Sequence, residues 1–419
     1  MRILFVGVHY APDDVGIAPF TAGLADHFVE EGHDVTVATT FPHYPEWRWK
    51  GPAGLRLVEH RSGVAVRRFR IILQRKSTAA WRITFDTSFA VAMIANTLGL
   101  PRCDLVIAVS PPIQAGLTAK LLAKAWGAPL ILLIQDLPLD LALSVGMLKR
   151  GTVYRLGLRL ERAVHAMADH IVVVNEGFQE KLLERHVPQK KMSVIADWAE
   201  LETIRPMRAS PEFRAELGAG KRDFLALHTG NMGAKQGLIN LVDAAELDGG
   251  SWRLALIGDG VERERLADAI AAKGLGHVRL LPLQPARRVP YMLAAADVLL
   301  INQRSGVVDS VVPSKLISYM CAGRPVVAAV NEKSTAAHIV RRAGCGIVVE
   351  PENPGALNAA LDSMRNDPRS RRAMGAAGRK YVERYFDKDE VMGKWDRLIG
   401  DLSRSRPTGS TADPESGVG

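Results

Sequence analysis

Residues 309–330, Asp309-Ser-Val-Val-Pro-Ser-Lys-Leu-Ile-Ser-Tyr-Met-Cys-Ala-Gly-Arg-Pro-Val-Val-Ala-Ala-Val330, run as a loop, a short helix and a buried strand in immediate succession. Ser314 suits an N-cap, Leu316, Ile317 and Met320 give the helix an apolar face, Gly323 suits the C′ position, and Pro325 forbids continuation. The open end of such a helix offers unsatisfied N–H groups and the positive end of a dipole, and Lys315 adds a mobile cation there. A diphosphate fits that end. An ordinary αβ unit with a good cap fits the same residues.

Outward from this segment, short runs rich in Val, Ile and Leu alternate with helical patterns along most of the chain, the sequence form of a parallel sheet covered on both faces. Strands are expected near 2–8, 34–39, 104–109, 129–135, 170–174 and 192–196, with helices such as Ala18–Glu31 and Pro112–Trp126 between them. The series restarts at 223–229 and continues near 253–257, 277–281, 297–301, 325–330 and 346–349. The expected architecture is therefore α/β, with two doubly wound, Rossmann-like domains: 1–200, a Pro- and Gly-interrupted linker at 201–222, and 223–385. A helix at 386–402 follows, and a Ser-, Pro- and Gly-rich tail at 403–419 is expected to be disordered.

At 419 residues and 47% hydrophobic content the chain can fill two cores. A net charge of +9 suits an anionic partner, whether phosphate ligand, nucleic acid or acidic membrane. Cys103, Cys321 and Cys345 form no CxxC pair and lie in apolar settings, which points to a reduced protein without a zinc site. The apolar N-terminal run is too short for a signal peptide, and Ile83–Leu100, broken by Asp86 and Asn96, reads as a core helix rather than a membrane span.

Several constellations could carry chemistry. Leu225-Ala-Leu-His-Thr-Gly-Asn-Met-Gly-Ala-Lys-Gln-Gly-Leu reads as a strand, a glycine-rich turn and a helix start, in which Gly230, Gly233 and Gly237 allow close backbone approach and Lys235 reaches an anion. It is not a Walker A sequence, which argues against a P-loop ATPase. Gly258-Asp259-Gly260 is a second tight turn, with Asp259 a possible cap, and Leu280–Pro285, including Leu283, offers backbone groups to a nucleobase edge. In the first half, Gly16 stands at a helix entrance without the GxGxxG pattern. Phe41-Pro-His-Tyr-Pro-Glu-Trp brings His43 and Glu46 among aromatic rings suited to a sugar, although packing explains each residue as well. Asp136, at the end of the strand Leu130–Gln135, could position a hydroxyl or cap the next helix. Arg56–Lys76 holds seven bases against one acid, Glu59, with Trp81, Phe85 and Phe89 close behind. That composition suits an anionic membrane or lipid diphosphate, and no nucleic-acid-binding signature accompanies it.

Taken together, the Gly230–Gly237 and Gly258–Gly260 turns, Ala294-Ala-Ala-Asp-Val-Leu-Leu, and Pro313-Ser-Lys-Leu through Gly323-Arg-Pro-Val-Val resemble the GT-B glycosyltransferases of family 4. The first half, in Phe41–Trp47, Gln135-Asp-Leu and Val172-Val-Val-Asn-Glu-Gly-Phe, resembles their colanic-acid-type exopolysaccharide branch. The resemblance implies two domains facing across a cleft, with the last helix crossing back to the first domain. It implies a retaining, metal- and cofactor-independent transfer of sugar from a UDP or GDP donor to an acceptor, with a lipid diphosphate acceptor at the inner face of the membrane. It places donor contacts at Gly16, Asn231, Gly233, Lys235, Gly258, Leu283, Asp309, Ser314, Lys315, Leu316 and Ser318, and catalytic or acceptor-positioning roles at Lys235, Lys315, Asp136 and His43. Two family glutamates eight residues apart fall here on Ser310 and Ser318, so Asp309 is the remaining carboxylate nearby. A nucleotide-sugar 2-epimerase and a non-catalytic nucleotide-sugar-binding scaffold are the competing readings.

Overall fold

The computed structural model of the chain describes residues 1–13, 16–43, 47–74, 78–144, 148, 150–307 and 314–404. Its apolar runs form two sheets. The first comprises β1 (Arg2–Val6), β2 (Asp34–Thr40), β3 (Arg56–Arg61), β4 (Val64–Phe69), β5 (Leu105–Ser110), β6 (Leu130–Ile134), β7 (His170–Val173) and β8 (Met192–Val194), in the order β3-β4-β2-β1-β5-β6-β7-β8. β1, β2, β4, β5 and β6 pair in parallel. Every residue of β5 and β6 is buried, as expected of parallel strands covered on both faces.

The β3–β4 hairpin departs from the sequence reading, which places no strand there and treats Arg56–Lys76 as one basic surface. The two strands pair antiparallel, joined by Ser62 and Gly63, both at positive φ (49° and 83°), the geometry of a two-residue hairpin turn. Two of its arginines, Arg67 and Arg68, are buried, and Arg70, just past its end, is half-buried. Arg68, 2% exposed, donates from Nε to Glu59 (2.7 Å) and from Nη1 to the Thr40 carbonyl (3.1 Å), and its Nη2 reaches the Ala11 carbonyl. Arg67 donates to the Leu98 carbonyl at 3.3 Å, and Arg70 donates to the Pro52 carbonyl at 2.8 Å while lying over the Phe41 and Trp49 rings. Arg75 and Lys76 lie outside the described residues. Among the described bases of this stretch, Arg56 and Arg61 are exposed, while Arg67, Arg68 and Arg70 are engaged by the protein's own carbonyls, carboxylate and rings.

The second sheet contains β9 (Leu225–Thr229), β10 (Arg253–Ile257), β11 (Val278–Leu281), β12 (Val298–Asn302), β13 (Val326–Ala329) and β14 (Gly346–Val349), all parallel, in the order β11-β10-β9-β12-β13-β14. Strand order reverses at β9 and β12. In an open α/β sheet, ligands bind outside the carboxyl ends of the strands at such a reversal.

Two compact units result. One comprises Met1–Gln135, Arg159–Val172 and the chain from Asp389 onward; the other comprises Asp136–Leu158 and Val173–Lys388. The last helix, Lys388–Arg404, packs in the first unit on the helix Ala18–Glu30: Trp395 meets Phe28 edge-on at 6.4 Å, and Asp396 Oδ1 lies 2.9 Å from His27 Nε2. Among the described residues no helix is long and apolar enough to cross a membrane.

Candidate functional site

The helix Ser314–Cys321 buries Leu316, Tyr319, Met320 and Cys321. Ser314 is its first residue rather than its cap, and the cap position falls outside the described residues. The other end is as the sequence reads: Gly323 sits at φ +63°, with Gly323 N–H donating to the Met320 carbonyl (3.0 Å) and Arg324 N–H to the Tyr319 carbonyl (3.4 Å), a Schellman closure. Tyr319 ties the helix to β9, because the Thr229 N–H donates to its hydroxyl at 3.0 Å.

At the carboxyl end of β9 the backbone enters two interlocked glycine turns. The Gly230 N–H donates to the Ile257 carbonyl (2.7 Å), Met232 N–H to the Asp259 carbonyl (2.8 Å) and Gly258 N–H to the Leu281 carbonyl (3.1 Å). A Cβ on Gly258 would fall 1.8 Å from the Gly230 carbonyl oxygen, so this contact admits glycine alone. Asp259 caps no helix: its Oδ1 accepts from the adjacent Gly260 N–H, and the following helix begins at Arg263.

Into this corner comes Lys315. Its Nζ lies 3.2 Å from His228 Nε2 and 3.4 Å from the Asn231 carbonyl, and its chain passes where a side chain on Gly230 would stand, 2.6 Å from that Cβ position. Burial pulls its pKa down to about 8, so near neutral pH the amine is charged, but only narrowly. His228, 1% exposed, is pushed down to about 3 by burial and then by the Lys315 charge, so it is neutral. Its Nδ1 lies 3.0 Å from the Leu300 carbonyl, which can only accept, so Nδ1 carries the proton and Nε2 presents a lone pair to Lys315. Among the described residues two of the three Lys315 N–H groups are engaged, and the third has no partner there.

Around this corner the loop is held by Asn302 on β12, whose amide donates to the Gln236 (2.6 Å) and Gly237 (3.0 Å) carbonyls and accepts from Asn240 (2.8 Å). Lys235 is half-buried in the short 3-10 turn Ala234–Gln236, and its ammonium has no partner among the described residues. The structure thus gathers Asn231, Gly233, Lys235, Gly258, Lys315 and the start of the Ser314 helix around the reversal of strand order. The Leu316 side chain is fully buried in the core. Ser318 is half-buried, Leu283 is 65% exposed in the loop after β11, and Asp309 and Ser310 lie outside the described residues. His228 and Tyr319 are site residues that the sequence reading misses. A histidine inside the otherwise apolar strand Leu225–Thr229 was the available sign.

In the first unit, Gly16 is exposed at φ +64° with open space beside it, so a ligand can approach its backbone. His43 lies under aromatic cover, and its Nε2 has no hydrogen-bond partner among the described residues. It is fully buried, its Nδ1 donates to the Phe41 carbonyl (3.0 Å), and Trp47, Trp49 and Phe85 enclose it, with burial pushing its pKa down to about 4. The half-buried ring stacked on it at 5.3 Å belongs to His9. Asp136, grouped with the second unit, is half-buried and accepts from the Leu137 N–H at 2.8 Å. Glu46 lies outside the described residues. Among the described residues no cluster of His, Cys, Asp and Glu could hold a metal.

Residues 15–198 match the family model described as a glycosyl transferase 4-like domain, and residues 209–381 match that described as glycosyl transferases group 1. WcaI of Escherichia coli K12, named as a colanic acid biosynthesis glycosyl transferase, is 27% identical over 402 residues, covering 94% of this chain and 98% of that protein. Among solved structures, sucrose-phosphate synthase from Thermosynechococcus elongatus matches with a TM-score of 0.72 at 19% identity, over 97% of this chain and 100% of that one. HepE of Anabaena, solved in complex with UDP, matches with a TM-score of 0.69 at 16% identity, over 96% of this chain and 100% of that one.

Proposed function

Because the chain belongs to the GT-B glycosyltransferases of polysaccharide biosynthesis, with a glycosyl transferase 4-like half and a group 1 half, we propose that it moves a sugar from a UDP or GDP donor, with retention, to a lipid diphosphate-linked or glycan acceptor. One observation carries the donor assignment: the Lys315 ammonium, at the start of a helix and at the carboxyl end of β9, has an N–H to spend on a phosphate oxygen. As the bond from sugar to phosphate breaks, negative charge accumulates on the leaving nucleotide diphosphate. Lys315, Lys235 and the N–H groups of the Ser314 helix stabilise it. The acceptor hydroxyl enters on the face the leaving group vacates, and a donor phosphate oxygen takes its proton. Asp136 positions that hydroxyl, and no metal or cofactor takes part. HepE, solved with UDP, favours starting with uridine nucleotides.

A lipid-linked acceptor puts the reaction at the cytoplasmic face of the membrane, and the helix Ala79–Thr97 supports that location better than the β3–β4 arginines do. Ile83, Val91 and Ile94, with Leu98 just beyond the helix end, are exposed at helical spacing along one side, and Val91 is 64% exposed. Residues 70–102 carry five bases against a single acid, Asp86, which is buried beside Arg82. An exposed aliphatic stripe in a sequence segment rich in bases is the chemistry of an interfacial anchor. Val91→Asp is expected to reduce sedimentation with vesicles rich in phosphatidylglycerol, and equal sedimentation of the variant and the parent removes the helix from the membrane contact.

The donor reading is tested by thermal shift with UDP- and GDP-sugars, using the wild type and Lys315→Ala. One nucleotide class should stabilise the wild type, and the variant should lose most of that shift. If no nucleotide stabilises the wild type, the site is misassigned. Product analysis separates the alternatives: an epimerase converts the donor sugar without any acceptor, and a scaffold binds donor with neither transfer nor hydrolysis.

A further inference from the structure

We propose that His228 is a positioning residue for the donor diphosphate, acting through Lys315. The inference rests on the donor reading above. A histidine at a buried position of a parallel strand is a costly choice where Leu225 and Leu227 show what the core accepts, and both of its ring nitrogens are spent. The Nδ1–H bond to Leu300 on β12 fixes the plane of the ring, and Nε2 then receives the Lys315 ammonium at 3.2 Å. With the Asn231 carbonyl as second acceptor, the direction of the remaining N–H follows. The space for this arrangement exists because Gly230 has no side chain.

The identity of the acceptor matters. A carboxylate in the place of His228 would also orient the lysine, but it would cancel its charge and compete with the incoming phosphate. A neutral imidazole orients the ammonium and leaves its unit charge for the ligand. Burial keeps His228 neutral far below physiological pH, so the pairing does not change with ordinary acidity.

Two substitutions separate the two ring nitrogens. His228→Asn keeps a donor near the Nδ1 position and loses the acceptor for Lys315, whereas His228→Gln places an amide oxygen near Nε2. With UDP and GDP as probes in calorimetry, His228→Asn should weaken binding about tenfold and His228→Gln should restore most of it. In a Lys315→Ala background His228→Asn should add almost nothing, since both act through one contact. Equal binding by the Asn and Gln variants, or a full additional loss in the Lys315→Ala background, overturns the proposal. A second readout needs no nucleotide. At pH 8, His228→Asn should speed acetylation of Lys315, followed by mass spectrometry, because losing the lone pair favours the neutral amine. Equal rates in the variant and the wild type overturn the pairing. If the wild type binds no nucleotide while acetylation responds as expected, the donor reading has failed and the pairing stands.

Discussion

Lys315 holds its charge by a small margin, and that margin sets a pH dependence. With the free-protein pKa near 8, the ammonium that grips phosphate is present below that pH and lost above it. Affinity for UDP or GDP should therefore fall as pH rises through about 8, and Lys315→Arg should flatten the profile. Dissociation constants measured from pH 6.5 to 9.5 decide this, and a flat wild-type profile excludes Lys315 from the grip. Folding runs the other way. The unfolded lysine titrates near 10.5, so this group's contribution to stability is complete above that value and is lost as pH falls through about 8. Gly230→Ala puts a Cβ 2.6 Å from Lys315 Cε at a φ of +106°, so it should abolish nucleotide stabilisation at a folding cost of about 1–3 kcal/mol. Thermal shifts with and without nucleotide measure both effects. At this scale Lys315, Lys235 and the glycine turns were legible, because each changes local chain chemistry. His228 was not, because its meaning comes from a partner 87 residues away.

The helix Ser314–Cys321 shows how an element can be read almost whole from sequence: the apolar face, the closing glycine and the proline stop are local statements, and the structure keeps them. Only the cap shifted. Leu316→Ala should cost about 2–5 kcal/mol in urea unfolding, since the side chain is fully buried in the core and the helix aims both Tyr319 and Lys315. The β3–β4 hairpin was hidden for the opposite reason. Its strands carry charges that read as surface, and only the tertiary structure shows Arg68 turned inward onto Glu59 and two carbonyls. Arg68→Ala leaves the Thr40 and Ala11 carbonyls without their donor, and a loss of about 3–5 kcal/mol is expected. A loss below 1 kcal/mol in urea unfolding would return that arginine to the surface role the sequence suggested.

Across the whole molecule, the alternation of apolar runs and its restart at 223 were enough to announce two doubly wound domains, because parallel sheets need continuous buried strands. The assembly of each compact unit from separated segments is different in kind. Periodicity registers what a segment is and not which unit it joins. The helix Lys388–Arg404 is the clearest case, with Trp395 4% exposed against Phe28 in the unit that begins the chain. Trp395→Ala should destabilise that unit by about 3–5 kcal/mol. In calorimetry one transition should move down while the nucleotide-dependent one holds.

That same helix dictates an order of manufacture. On the ribosome the strands and helices from Met1 to Gln135 precede the rest of the described chain, yet the face of Ala18–Glu30 that receives Trp395 and Asp396 stays uncovered until the helix Lys388–Arg404 has been made. The half synthesised first is the half finished last, and throughout elongation it exposes an apolar seam whose cover has not yet been translated.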